Sequence, residues 1–348
     1  MALPSNQSPR ILLIILFALA VALTPLFLSS SSSTLSSFGN AKVVYDFQER
    51  PAAAEVQDKE VVRVGVYILS VGNLDTRTGT YLVDFFLNFT CETPPCDPSQ
   101  FDIMNSATRP VIEDQTTEED RGTNFYYRVR ANLQTNLDLK EFPFDRHTLA
   151  IELEDKNKNN NEYRLIADPT LSGIDSEVYV AGWNLEPYIL GAEKSHQYTV
   201  YDEAYSRVRF AIHIYHPWFS SFMKGLFAAI VIVGVGMLSF LMNENEARDR
   251  IALTSGTLAS AIFYHMTLTA SVPPVGYLTY ADRFMILQYV FITAALGVAV
   301  SLLLLQRAEN DTANHKALAL QIHRITRLVI PVLWAISLIV LHVTTLGL

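Results

Sequence analysis

IALTSGTLASAIFYHMTLTASV, residues 251–272, is long enough to cross a lipid bilayer, yet it carries Thr254, Ser255, Thr257, Ser260, Tyr264, His265, Thr267 and Thr269. At about 1.5 Å per residue the stretch covers roughly the 30 Å of hydrocarbon in a membrane. Polar side chains at that depth face the interior of a bundle or water rather than acyl chains. The plainer alternative is that small polar residues simply pack one helix against another. Because one copy of a few helices cannot surround an aqueous path, the wet reading requires a ring of copies.

Three further segments of similar length and higher apolarity lie nearby, at 223–242, 284–305 and 328–346. All four are expected to be helices, since lipid offers the backbone no hydrogen-bond partners. Arg248 and Arg250 lie between the first two segments, and Arg307, Lys316, Arg324 and Arg327 between the last two. The connection 272–282 contains no Lys or Arg. Positive charge stays on the cytoplasmic side, so both basic loops are assigned there and the polar N-terminal half outside a plasma (inner) membrane, periplasmic or extracellular.

Composition agrees with a chain half in water and half in lipid. The 348 residues are 50% hydrophobic, with a mean hydropathy of +0.20. From 61 to 214 apolar and polar residues alternate, whereas beyond 223 the sequence is nearly continuously apolar. Tyr81, Val83, Phe85, Leu87 and Phe89 share a face at period two, as do Tyr127, Val129, Ala131 and Leu133, then Leu149, Ile151 and Leu153, then Val208, Phe210, Ile212 and Ile214. Several short alternating strands separated by polar turns such as DKNKNNN at 155–161 predict a β-sandwich. The predicted fold is an all-β sandwich over 61–216 followed by an all-α, four-helix transmembrane domain over 217–348.

The net charge of -9, with acidic clusters at Glu113, Asp114, Glu118, Glu119 and Asp120, disfavours nucleic acid as a partner. Arg10, an apolar run over 11–28 and a serine tract make residues 1–33 a secretory signal or an uncleaved anchor. Cys91 and Cys96 flank Pro94 and Pro95; a Pro-Pro turn could bring the two thiols together in an exported domain. No His is placed to complete a zinc site with them, and no metal or cofactor is assigned. GxSxG, HExxH and phosphate-loop patterns are missing, and the eight histidines are scattered, so an enzyme is not expected.

The order of LKEFPFDRHTL at 139–149, AGWNLEPY at 181–188, HPWFSSF at 216–222, VPPVGYLTY at 272–280 and RLVIP at 327–331 resembles the pentameric ligand-gated ion channels of the Cys-loop receptor superfamily, in particular the prokaryotic type. The resemblance spans 61–348. It implies a homopentamer around a central pore in a lipid bilayer, passing monovalent cations and gated by an unidentified small-molecule or ionic agonist, by protons or by divalent ions.

It also implies residue roles. Phe142, Pro143 and Phe144 would rest on the connection between the second and third helices, Tyr277 among them, with Asp75 and Arg77 in the neighbouring coupling turn. Asp145 would seek a cation, and where many relatives have arginine this chain has His216. Histidine charges near pH 6.5, so that contact would strengthen in acid. Matching DRIALTSG to the start of the second helix makes Asp249, Ala252, Gly256, Ala259, Phe263, Met266 and Ala270 the pore-lining stripe, with Phe263 its constriction. A register rotated by one or two residues would instead expose Thr254, Thr257, Ala261 and Tyr264.

For the outer ligand site the matching loops offer Asp155 and Lys156, and Tyr198, Tyr201 and Tyr205 from SHQYTVYDEAYSR. The family's Trp-x-Asp pattern between Cys91 and Phe101 is missing, and so is the proline often found in the first membrane helix. A non-conducting receptor or assembly module with the same fold is therefore the alternative.

Overall fold

In a computed structural model, residues 59–346 are described apart from 93, 271 and 308–311. The 1–33 signal or anchor lies outside the described residues. The chain forms two compact units. One comprises the described residues up to Asp138 together with Asp145–Pro217; the other comprises Leu139–Phe144 and Trp218–Leu348.

The first unit holds eleven strands among the described residues: β1 (Glu60–Asp75), β2 (Thr80–Cys91), β3 (Phe101–Ile103), β4 (Val111–Asp114), β5 (Asn124–Gln134), β6 (Arg146–Asp155), β7 (Tyr163–Ala167), β8 (Gly173–Ile174), β9 (Asn184–Leu185), β10 (Leu190–Tyr198) and β11 (Glu203–Tyr215). One sheet runs β4-β5-β2-β1-β7 with β8 on β1, and the other runs β10-β11-β6-β3 with β9 on β11. Every residue of the four alternating faces named above is buried, with Phe85, Leu87, Val129, Leu133, Leu153, Val208 and Ile214 fully so. Both sheets contribute to one apolar core. Burial of that area drives the fold, and a one-residue slip of any of these strands would turn its apolar set outward. Cys91 and Cys96 are disulfide-bonded at the end of β2, their Cα atoms 5.8 Å apart. Gly79 closes the β1–β2 turn with a φ of 70°, where a Cβ would lie 2.2 Å from the carbonyl oxygen of Thr135; only glycine fits there.

The second unit contains α1 (Trp218–Gly225), α2 (Phe227–Met237), α3 (Ala247–Thr269), α4 (Tyr280–Arg307) and α5 (Thr312–Leu346). Among the described residues α3, α4 and α5 are each long and apolar enough to cross a membrane, and α1 with α2 would make a fourth span if the bent pair is one.

The helices correct three expectations. The segment 223–242 is not one continuous helix, because the chain breaks at Leu226 and turns by 46°. No proline causes the break; its support is described below. The second helix starts at Ala247, so Arg248, Asp249 and Arg250 form its first turn rather than a loop. Lys316, Arg324 and Arg327 are likewise not in a loop but on α5, which begins at Thr312 rather than 328. Ala317, Leu318, Ala319, Leu320, Ile322 and Ile325 are interleaved with those bases, and this stretch holds no glycine or proline to stop a helix.

Candidate functional site

Asp145 immediately precedes β6, the strand that carries Phe210's neighbour Ile151, and its backbone carbonyl accepts the amide of His216, 3.2 Å away, just beyond the end of the β6–β11 ladder. The side chain is 1% exposed. His216 Nδ1 lies 3.0 Å from Asp145 Oδ1, and His147 Nε2 lies 2.5 Å from Oδ2. Trp183 packs against both imidazoles, its ring centroid 3.6 Å from that of His216 and 5.2 Å from that of His147. Burial alone would raise the carboxyl, but the hydrogen bonds from His147 and His216 prevail and its pKa falls to about 2. Asp145 is therefore an anion across the physiological range, and an ionised carboxylate only accepts, so each imidazole donates to it. The sequence paired Asp145 with His216 alone. His147 could have been found, since two residues apart on a strand share a face.

In the helical unit, the Leu139–Phe144 segment is bound to the start of α4 mainly through its main chain. The amides of Tyr280 and Ala281, two of the four that open any helix without an internal partner, donate to the carbonyls of Lys140 and Phe142 at 2.7 and 3.0 Å. Tyr277 Oη accepts the amide of Leu139 at 2.9 Å, and Lys140 Nζ lies 5.7 Å from the Tyr277 ring centre. Phe142 lines a cavity of about 420 Å³ with Pro273, Pro274, Tyr277 and Leu278. Phe144 packs edge-on against Tyr280 and His342 instead. This is where the two aromatics beside Pro143 find their apolar support. Thr279 and Asp282 close the N-terminus of α4 reciprocally: each side chain accepts the other's amide. Asp282 also accepts from His265 Nε2 at 3.1 Å, while His265 Nδ1 takes the Tyr289 hydroxyl at 2.9 Å. Nothing in the sequence pairs these three.

On α3, Asp249, Ala252, Gly256, Ala259, Phe263, Met266 and Ala270 are all exposed in the single chain, Phe263 by 70% and Met266 by 65%. Thr254, Thr257 and Ala261 are buried on the opposite side, and Tyr264 is half-buried. Most hydroxyls of α3 bond to its own carbonyls: Thr254 to Arg250 at 2.7 Å, Ser255 to Ile251 at 2.7 Å and Ser260 to Gly256 at 2.9 Å. Their number alone therefore does not demand water. Arg250 is 1% exposed, turned inward where its guanidinium donates to the Met242 carbonyl and to His323 Nδ1.

Of the outer candidates, Tyr198 and Tyr205 lie together with ring centres 5.7 Å apart, and Tyr201 stands 75% exposed at the hairpin tip. Tyr198 Oη donates to Glu154 and accepts from Arg207, whose Nε is 2.8 Å from Glu154. Sequence reading did not find that buried carboxylate. Asp155 is itself buried and its Oδ1 accepts the amides of Asn157 and Lys158 at 2.8 and 2.7 Å, shaping its own turn. Lys156 is exposed. In the β1–β2 turn Asp75 accepts the amide of Arg77 at 2.8 Å, and that bond lowers its pKa.

No family model matches the chain. It is similar to a proton-gated ion channel of Gloeobacter violaceus, 21% identical over 301 residues that make up 80% of this chain and 82% of that protein. The sandwich-like sheets preceding apolar helices, and the order of motifs read above, agree with that likeness to a proton-gated ion channel and with the resemblance to the prokaryotic pentameric ligand-gated ion channels.

Proposed function

We propose that five copies of this chain form a cation channel whose aqueous path is walled by α3, with the sandwich outside the membrane, four spans per copy, and acid as the opening stimulus. The carrying observation is the division of α3: the stripe Ala252 to Ala270 is left uncovered by its own chain, while Thr254, Thr257 and Ala261 of the competing stripe are packed inward. An uncovered helix face within a membrane protein needs either lipid or further copies against it. Asp249, exposed in the first turn, would give a ring of five carboxylates that attracts cations, and Arg250 is turned inward, away from it. Purified protein in a planar bilayer should pass current when the outer solution is acidified, with a reversal potential following the cation gradient. Asp249→Ala should move that potential toward zero. Absence of current at any pH would favour the non-conducting receptor.

The acid stimulus is assigned to the cluster of Asp145, His147 and His216. Asp145 is a buried carboxylate held low by its two imidazole contacts, so positive charge placed on this cluster would meet an anion in a buried place and tighten the β6–β11 end of the sandwich. His216→Arg, which fixes the positive charge, should move half-activation away from the wild-type value by at least about tenfold in proton concentration, a change of about 1.4 kcal/mol. An unchanged pH–current curve removes this assignment.

A further inference from the structure

The break between α1 and α2 has no proline, yet the 46° bend is there. A helix leaves its last carbonyls without internal partners, and within a membrane such groups are costly. α1 ends at Gly225. The Phe222 carbonyl is met by the amide of Leu226 at 2.9 Å. The hydroxyl of Tyr264, from the C-terminal part of α3, lies 3.2 Å from the carbonyl oxygen of Lys224 and 3.1 Å from that of Gly225. On its other side the break is pressed against the Leu139–Phe144 segment: a Cβ on Gly225 would lie 2.9 Å from Pro143 Cγ. One tyrosine thus bridges the broken helix to α3, at the point where Pro143 bears on it.

We infer that Tyr264 is a positioning residue that substitutes for the missing proline, holding the first span broken and tying that break to the tilt of α3. Proline creates a kink by withholding an amide. Tyr264 reaches the same end by occupying the carbonyls, which removes the incentive for α1 to continue into α2. Displacement of Pro143 would push Gly225, and the shared hydroxyl would carry the push to α3. The second half of this inference rests on the channel reading; the first half does not.

Tyr264→Phe keeps the ring and deletes the donor. In the full-length protein in lipid nanodiscs, spin-label distances or a density map across residues 218–237 should show the bend in Y264F relaxed toward a continuous helix. Half-activation by acid should shift by about fivefold, the scale of one lost hydrogen bond, with unitary conductance unchanged. Adding Ala228→Pro, which withholds the amide that a straight helix would aim at the Lys224 carbonyl, should restore both bend and response. Gly225→Ala, which crowds Pro143 without touching Tyr264, should shift half-activation while leaving the bend in place. A bend that persists in Y264F overturns the inference, and a relaxed bend with an unshifted response overturns the coupling of that break to α3. If the wild-type protein passes no current, the channel reading fails while the distance measurement still judges the clamp.

Discussion

Asp145→Asn protein is expected to unfold in chemical denaturant more readily than wild type at pH 7, with the gap between the two narrowing below pH 4. The wild-type carboxyl falls from an ordinary 3.8 to about 2 on folding. A group whose pKa is depressed in the folded state contributes stability that is complete above its unfolded pKa and is lost as pH falls through the folded one. The window is therefore about pH 4 to 2, and the shift corresponds to roughly 2 kcal/mol. Asparagine is nearly isosteric but brings a single acceptor oxygen, whereas two imidazole N–H groups converge on this position. One of them must change tautomer or go unpaired in a site that is 1% exposed, a further cost of about 1–3 kcal/mol. Trp183, packed at a tilt on His216, provides a near-ultraviolet signal from the cluster itself. A gap independent of pH would show that Asp145 acts by packing alone.

The largest electrical effect is expected at Phe263. A ring of five phenylalanines closes a pore by making its narrowest zone too apolar to stay wet. Phe263→Thr should let water remain, so that current flows at neutral pH without any stimulus. A rise of about tenfold in resting open probability needs only about 1.4 kcal/mol, less than a single ring's worth of apolar burial. Thr254→Val is the matched control, since Thr254 is fully buried and bonded to the Arg250 carbonyl; it should leave unitary conductance and ion preference unchanged. If T254V alters conductance and F263T does not, the rotated register is the true one.

The strands were legible because each of their faces meets a single core: Tyr81 to Phe89 and Val208 to Ile214 alternate in the sequence as they alternate in burial. Helix faces were harder. On α3 both stripes mix small, polar and aromatic residues, so composition could not rank them, and the choice rested on resemblance. The break at Leu226 was invisible since its cause is a hydroxyl 38 positions away along the chain, not a local breaker. The start of α5 was misjudged for a related reason: Lys316, Arg324 and Arg327 suggested a loop, but long basic side chains sit readily on a helix at a membrane edge. His147 is signalled by period two, since it lies two residues from Asp145, whereas His265, Asp282 and Tyr289 are joined only by tertiary structure.

The seam at Leu139–Phe144 is made largely of peptide groups. Two carbonyls meet two helix-opening amides, and no side-chain chemistry at Lys140 or Glu141 is needed for those bonds. A joint of that kind tolerates exchange of the residues around it. The side chains beside it can be rewritten one at a time while these two main-chain hydrogen bonds to the start of α4 stay in place.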